Sequence, residues 1–465
     1  MEDSPLLKRW ASTLRHAAFE TSKQQPNYFL PDPTTLISSS DVVSFQAGVG
    51  DDILASVLPS LEAARSEIIF VTCFWAKSSS LDRLCRSLCA LSDRVVRDGQ
   101  PRVRVRICLS SLSLFQKLLQ TSSLQGRDYP PKEWVKKLGL PPPERLQGLD
   151  LQIKSIFVRP FSVMHPKFIV IDREHVWLPS CNVSWEEWFE GCVELQGPIV
   201  AQFVRFWDLF WRSPRDISSS GVTAENAETL IHDSVAAAGP AKTSIVFTGL
   251  GNSTFSVFLP SQHRINPQFR PLPFLSAAPP PITPLNVFVL QLLADARRAI
   301  YVQTPNLTSP PVLTALLSAL KRGVNVHIVT CERLMILEQL VTAGTTTVRC
   351  VNQLIRRYKR LFKRQSSRSD NYDDLEQQSA PGKLEIEFYQ ASTKKPGEPV
   401  QSHIKLTAVD DEWLVLGSGN MDRASWYTSQ ELGVAFYNKN VTVRVMDLLD
   451  STLKDRKKIA FPLGS

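Results

Sequence analysis

Along "DDILASVLPSLEAARS", from Asp51 to Ser66, apolar residues recur at steps of three and four, the spacing that places them on one face of a helix. An unbroken apolar run of strand length, "EIIFVTCFW", follows it. Next come the helix-spaced "SLDRLCRSLCALSDRV" and the strand-like "RVRVRICLS". The same succession returns from Leu285 in "LNVFVLQLLADARRA", "IYVQTPN", "PPVLTALLSALKRG" and "VNVHIVTC". Each series then reaches one more strand-like run, "LQIKSIFV" in the first and "KLEIEFYQ" in the second. Alternating helical and strand periods predict an α/β fold with sheets covered by helices. The repeated order predicts an internal duplication: two α/β halves with mixed sheets, related by a pseudo-twofold axis.

This organisation divides the chain into an N-terminal extension (1–40), a first half (41–215), a Pro-containing linker (216–284) and a second half (285–465). The linker has weak periodicity and holds "SAAPPPITP", so it is expected to run extended over the surface. An insertion at about 334–382 interrupts the second half. It begins helix-like, carries the basic "RRYKRLFKRQSSR" and ends in the acidic "SDNYDDLEQQSAPG". Such a charge run is read first as a solvated face or a mobile loop, and second as a patch that meets anionic headgroups or nucleic-acid phosphates. In the N-terminal extension, Leu6, Leu7, Trp10 and Leu14 fall on one helical face. That face is expected to pack on the domain, with membrane contact or a weak transit peptide as the alternatives.

At 465 residues the chain exceeds one ordinary core, in keeping with two halves. No stretch approaches the run of about 20 apolar residues that a membrane span needs. The expectation is therefore a cytoplasmic chain, at most peripheral to a membrane, with a mitochondrial location left open. A formal net charge of +8 favours anionic partners without choosing between lipid and nucleic acid. The eight cysteines form no Cys-x-x-Cys pair and sit mostly in apolar runs, which suggests a reducing compartment and no structural zinc.

Chemistry enters with a second repetition. His165 is followed by Lys167, Asp172, Ser180 and Asn182; His403 is followed by Lys405, Asp410, Ser418 and Asn420 at the same four offsets. "FIVI" and "LTAV", which follow the lysines, read as short buried strands, so His and Lys, two residues apart, point the same way. One imidazole and one ammonium from each half would then converge on a site between the halves. Two histidines suit a two-step displacement at phosphorus, one attacking and the other protonating the departing oxygen. Two lysines and two asparagines can hold the non-bridging oxygens. Lysine is a poor metal ligand, so no metal and no cofactor is expected. Glu194 and Glu431 lie at near-equal distances beyond the histidines and are the expected carboxylates behind the two rings. Trp185, Trp188, Phe189, Trp426 and Tyr427 follow the asparagines and read as core residues first, as a substrate groove second. His327 reads as a core histidine.

The paired pattern resembles the phospholipase D superfamily, whose members carry two His-x-Lys-x4-Asp motifs, each followed by Gly-Ser-x-Asn. "HIKLTAVDDEWLVLGSGN" matches throughout; "HPKFIVIDREHVWLPSCN" has Pro179 in place of the glycine. The resemblance spans roughly 40–215 and 285–455. It implies the duplicated fold and a metal-independent phosphodiesterase or phosphatidyltransferase working through a covalent phosphohistidine. His165 would be the nucleophile, His403 the acid/base, and Lys167, Lys405, Asp172 and Asp410 would complete the catalytic set. "IYVQTPN", "LLSALKRGVNVHIVT" and "GSGNMDRASW" are similar to stretches of cardiolipin synthases, which implies a glycerophospholipid substrate and peripheral contact with an anionic membrane. The alternative is a nuclease of the same superfamily; a non-catalytic lipid-binding protein stands behind both. No obligate protein partner is implied.

Overall fold

The structure is a computed structural model that describes residues 4–21, 29, 32–112, 126–158, 162–212, 245–261, 279–366, 380–392 and 398–462. Most of the expected linker and the acidic part of the insertion lie outside the described residues. The N-terminal helix α1 (Pro5–Thr21) leads into a long strand, β1 (Ile37–Val49). Helix α2 (Gly50–Glu62), β2 (Glu67–Phe74), α3 (Ser79–Arg97), β3 (Val103–Ser111) and β4 (Leu149–Ser155) follow. The hairpin strands β5 (Phe168–Ile171) and β6 (His175–Pro179), strand β7 (Trp188–Gln196) and helix α4 (Ile199–Phe210) complete the first half.

Strand β8 (Ile245–Ser261) opens the second series. It is followed by α5 (Pro284–Asp295), β9 (Ala299–Gln303), α6 (Pro310–Lys321) and β10 (Asn325–Thr330). Helices α7 (Ile336–Ala343) and α8 (Thr347–Ser366) precede β11 (Leu384–Tyr389) and the short β12 (Gln401–Ser402). The chain closes with β13 (Leu406–Val409), β14 (Trp413–Gly417), α9 (Arg423–Tyr427), β15 (Glu431–Tyr437), α10 (Lys439–Leu453) and β16 (Lys457–Phe461).

Strand pairing repeats as the element order does. The first series pairs in the order β1-β7-β6-β5-β2-β3-β4, antiparallel as far as β2 and parallel from β2 to β4. The second pairs in the order β8-β15-β14-β13-β9-β10-β11, with the same change to parallel pairing after β9, and adds β16 at its edge. Strand β2 is buried on both faces, which is why "EIIFVTCF" reads as a nearly continuous apolar run. Helix α3 starts where the Ser78 hydroxyl accepts from the Leu81 N–H, and its stripe of Leu81, Leu84, Leu88, Leu91 and Val95 is buried.

Three expectations need correction. The segment expected to be a surface linker contains β8, which pairs with β1 on one side and β15 on the other and so joins the halves into one sheet. Its glycines, serines and left-handed residues Gly249 and Ser253 break the alternation a strand normally shows. The described part of the insertion is two helices rather than a loop. His327 is not a core residue: it is half-buried, 2.7 Å from Glu387, and its ring meets the edge of Tyr301. Helix α1, in contrast, packs on α5 as its apolar face suggests; Trp10 is fully buried and its indole N–H donates to the Pro284 carbonyl at 3.0 Å. Among the described residues, which include all eight cysteines, no disulfide forms, and six of the cysteines are buried. Among the described residues no helix is long and apolar enough to cross a membrane.

Candidate active site

The site forms where each half lends backbone to the other. The His165 N–H donates to the Gln430 carbonyl at 2.9 Å, and the His403 N–H donates to the Phe189 carbonyl at 2.7 Å. Gln430 and Phe189 each precede a glutamate of a sheet strand, so each histidine is held beside a carboxylate from the opposite half. His165 Nδ1 lies 2.9 and 3.0 Å from the Glu431 carboxylate oxygens. His403 Nδ1 lies 2.9 and 3.1 Å from those of Glu190.

Glu190, and not Glu194, is thus the first-half carboxylate. Glu194 sits further along β7, where it accepts from the Ser44 hydroxyl at 3.0 Å and lies 3.3 Å from His175 Nδ1. The connection after Asn182 reaches its glutamate in eight residues, whereas the one after Asn420 takes eleven, so a fixed offset from the histidine overshoots. The signal was present in "EGCVELQ" and "ELGVAFY", where a glutamate stands just before a mostly apolar run.

The serines anchor these carboxylates. Ser180 Oγ donates to Glu190 and accepts from the Gly191 N–H at 2.9 Å; Ser418 Oγ donates to Glu431 at 2.5 Å and accepts from the Leu432 N–H at 3.0 Å. Pro179 stands opposite Cys192 at the end of β6, in the place that Gly417 takes opposite Gly433. A Cβ on Gly417 would come within 2.3 Å of the Leu432 carbonyl oxygen, so the second half requires the glycine that the first half dispenses with.

Both lysines are buried and fold back on their own motif. Lys167 Nζ donates to the His165 carbonyl at 3.1 Å and Lys405 Nζ to the His403 carbonyl at 2.6 Å. Asn182 accepts from the Phe74 N–H at 3.2 Å, and Asn420 donates to Asp422 at 2.9 Å.

The motif aspartates do something other than chemistry. Asp172 accepts from the N–H groups of Arg65, Ser66 and Glu67 at 2.7–3.1 Å. Asp410 accepts from those of Arg297, Arg298 and Ala299 at 2.7–2.9 Å. Each is left-handed, with φ of 52° and 57°, and ties a β-turn to the start of a neighbouring strand. They position the strand that carries the histidine and do not join the catalytic set.

Burial governs the electrostatics. Desolvation pulls the His165 ring below its ordinary value against the opposing charge of Glu431, and Lys167 adds to the fall. Desolvation carries His403 to about 3, opposed by Glu190 and reinforced by Lys405. Burial would raise the glutamates, but the charges and hydrogen bonds of the paired histidines, together with the lysines, hold both below the usual carboxylate range. Burial lowers Lys405 to about 7, and Lys167 contributes. Lys405 acts on His165 and Lys167 on His403, so the four basic groups share one field. With ionised glutamates accepting from Nδ1–H, both Nε2 atoms carry a lone pair.

Sequence reasoning missed two further acids. Asp422 caps α9 by accepting from the Ser425 N–H at 2.8 Å; burial raises its carboxyl, and Glu431 adds to the rise. Glu186, which accepts from the Ser184 hydroxyl, is likewise raised by burial, with Glu190 contributing. Of the aromatics, Phe189, Trp426 and Tyr427 are core, and the Trp188 ring lies over His403 at 4.7 Å between centroids. Trp185 is exposed.

Residues 289–453 match the family described as "Cardiolipin synthase, PLD-like domain". No curated protein matches the chain in sequence. Among solved structures, phosphatidylserine synthase of Haemophilus influenzae Rd KW20 is similar over 90% of this chain and 89% of its own, with a TM-score of 0.52 and 13% identity. Nuc, a phospholipase D family member from Salmonella typhimurium, is 19% identical over 38% of this chain and 92% of its own, with a TM-score of 0.27. In sequence the second half thus matches a phospholipase D-like domain, and the fold of the chain is similar to that of phosphatidylserine synthase.

Proposed function

We propose that the chain is a metal-independent phosphodiesterase or phosphatidyltransferase that acts on glycerophospholipids through a phosphohistidine. The observation that carries this reading is the pair of crossed His–Glu contacts: two imidazoles, each fixed through Nδ1 by a buried carboxylate of the other half, with two buried lysines beside them. In the first step His165 Nε2 bonds to phosphorus while the bond to the headgroup oxygen breaks and that oxygen takes a proton from His403. In the second, water or an alcohol gives its proton to His403, its oxygen bonds to phosphorus, and the P–N electron pair returns to His165. The accessibility of the rings favours this order, since the His165 side chain is 15% exposed and that of His403, beneath Trp188, is 5%.

A bound phosphodiester anion supplies what His403 lacks in the empty site: negative charge near the ring raises its proton affinity towards the value an acid needs. Lys167 and Lys405 offset charge on the non-bridging oxygens. Glycerophospholipid as substrate rests on the domain match to cardiolipin synthases and on the fold shared with a phosphatidylserine synthase. The test is incubation of the full chain, without added metal, with a panel of phospholipids and with single-stranded DNA and RNA, products being read by mass spectrometry. Phosphatidate or a transferred phosphatidyl product is expected, and is lost in both His165→Ala and His403→Ala. Shortened oligonucleotides with intact lipids would overturn the substrate assignment.

A further inference from the structure

Helix α7 is amphipathic the wrong way round. Ile336, Leu337, Leu340 and Val341 form two i,i+4 pairs on one face, and all four are exposed, Leu337 to 79% and Val341 to 60%. Met335, just before the helix, is exposed too. The buried face carries Gln339, whose side-chain amide donates to the Leu334 carbonyl at 2.6 Å and accepts from the Thr347 N–H at 2.6 Å and its hydroxyl at 3.0 Å. The helix is therefore anchored by polar bonds while its apolar side chains face outward, an arrangement water opposes.

Two neighbours indicate what covers this face. First, α7 packs against α9, the helix that begins three residues after Asn420 and is capped by Asp422, so the patch borders the candidate active site. The loop that follows the other asparagine, Asn182, carries the exposed Trp185 at 67%. Second, α8 follows α7 after a three-residue turn and is strongly basic. It buries Cys350, Val351, Leu354 and Tyr358 and leaves Arg349, Arg356, Arg357 and Arg360 exposed. Glu338 is the one acid in the eight residues of α7. An apolar ridge joined by a short turn to an arginine-bearing helix complements the surface of an anionic bilayer, where aliphatic side chains enter the acyl boundary and guanidinium groups meet phosphates.

We infer that α7 inserts into an anionic phospholipid surface and, with α8 beside it, seats the mouth of the site on the membrane. The inference rests on the lipid reading of the function and assigns the surface by which the site meets its substrate.

The test is co-sedimentation of the full chain with phosphatidylcholine vesicles, with and without phosphatidylglycerol, for wild type, Leu337→Glu/Val341→Glu and Leu337→Trp. Two buried charges should weaken partitioning by roughly tenfold or more. Leu337→Trp should bind at least as well as wild type and show a blue-shifted, quencher-protected emission on binding, a gain that misfolding does not produce. Wild-type binding should require phosphatidylglycerol and weaken with salt. Turnover of a short-chain phospholipid below its micellar concentration should be the same in wild type and the Glu/Glu variant, while turnover on vesicles falls in parallel with binding. Vesicle binding by the Glu/Glu variant equal to wild type overturns the inference. So does a concentration-dependent dimer, seen by analytical ultracentrifugation, that the variant loses while its vesicle binding stays unchanged. Binding that depends on Leu337 in a protein that turns over no lipid would uphold this surface and refute the substrate reading instead.

Discussion

Exchange of Glu190 for Gln separates the crossed arrangement from the one that motif spacing suggests. Glutamine keeps the shape of the side chain and an oxygen that can accept from Ser180, but it removes the negative charge 2.9 Å from His403 Nδ1. A hydrogen bond to a charged group contributes about 1.5–3 kcal/mol, equivalent to roughly 10- to 150-fold in rate. The charge also stabilises the imidazolium that forms while His403 holds a proton, and the carboxylate fixes which nitrogen carries the hydrogen. Loss of such an orienting carboxylate lowers kcat about 10⁴-fold in a serine protease triad. The expected fall in kcat on a phospholipid substrate therefore lies between those limits, at least about tenfold.

Glu194→Gln is the control. Its carboxylate meets the Ser44 hydroxyl and the partly exposed His175 and neither motif histidine, and the expected change is less than about threefold. Thermal unfolding of both variants, followed by circular dichroism, checks that the chain is folded. Equal losses in the two variants, or a Glu190→Gln enzyme within threefold of wild type, would refute the crossed pairing.

Three further outcomes follow from the same structure. Because His403 titrates near 3 in the folded chain and near its ordinary 6.5 when unfolded, the native state binds fewer protons between those values, and stability should fall as pH drops below about 6.5; His165 acts in the same direction. Each histidine contributes a slope of up to about 1.4 kcal/mol per pH unit, so urea titrations of His403→Ala should show a shallower fall than wild type, and equal slopes would count against the buried neutral ring. Asp410→Ala removes the acceptor for three N–H groups and puts alanine at φ 57°, which should cost about 2–4 kcal/mol, whereas Asp410→Asn, which tolerates that conformation and keeps one oxygen, should cost less. Chemical denaturation measures both, and the residual activity of folded Asp410→Asn should stay within about tenfold of wild type. Trp10→Ala should cost about 3–5 kcal/mol, since the indole is fully buried, meets Phe288 edge-on and donates to Pro284; an unchanged melting temperature would show that α1 is not part of the folded domain.

The contrast between Glu190 and Glu194 also shows what the amino-acid order conveys. The His-x-Lys-x4-Asp repeats were legible because both halves use the same short strand and turn, so residue spacing is rigid there. Beyond the asparagines a loop intervenes, its length differs by three residues, and spacing stops being a ruler. The role of Asp172 and Asp410 was hidden for another reason: an acid at the end of a strand reads as chemistry until the left-handed backbone and three converging N–H groups show it to be a clamp. Strand β8 escaped notice because glycine, serine and two left-handed residues interrupt its alternation, although its pairing with β1 unites the halves. The outward apolar face of α7 lay in plain view in "MILEQLV", but only the structure tells which face of that helix the domain covers.

The central claim, one site shared by two halves and passing through a histidine adduct, is tested most directly in the His403→Ala variant with a phosphatidyl ester of p-nitrophenol. That leaving group departs without a proton, so the first step survives the loss of the acid while the second stalls. Rapid quenching at alkaline pH and peptide mass spectrometry should find one equivalent of nitrophenolate released and a phosphatidyl group on the His165 peptide. Absence of any adduct during turnover, or an adduct on a residue other than His165, would contradict the account.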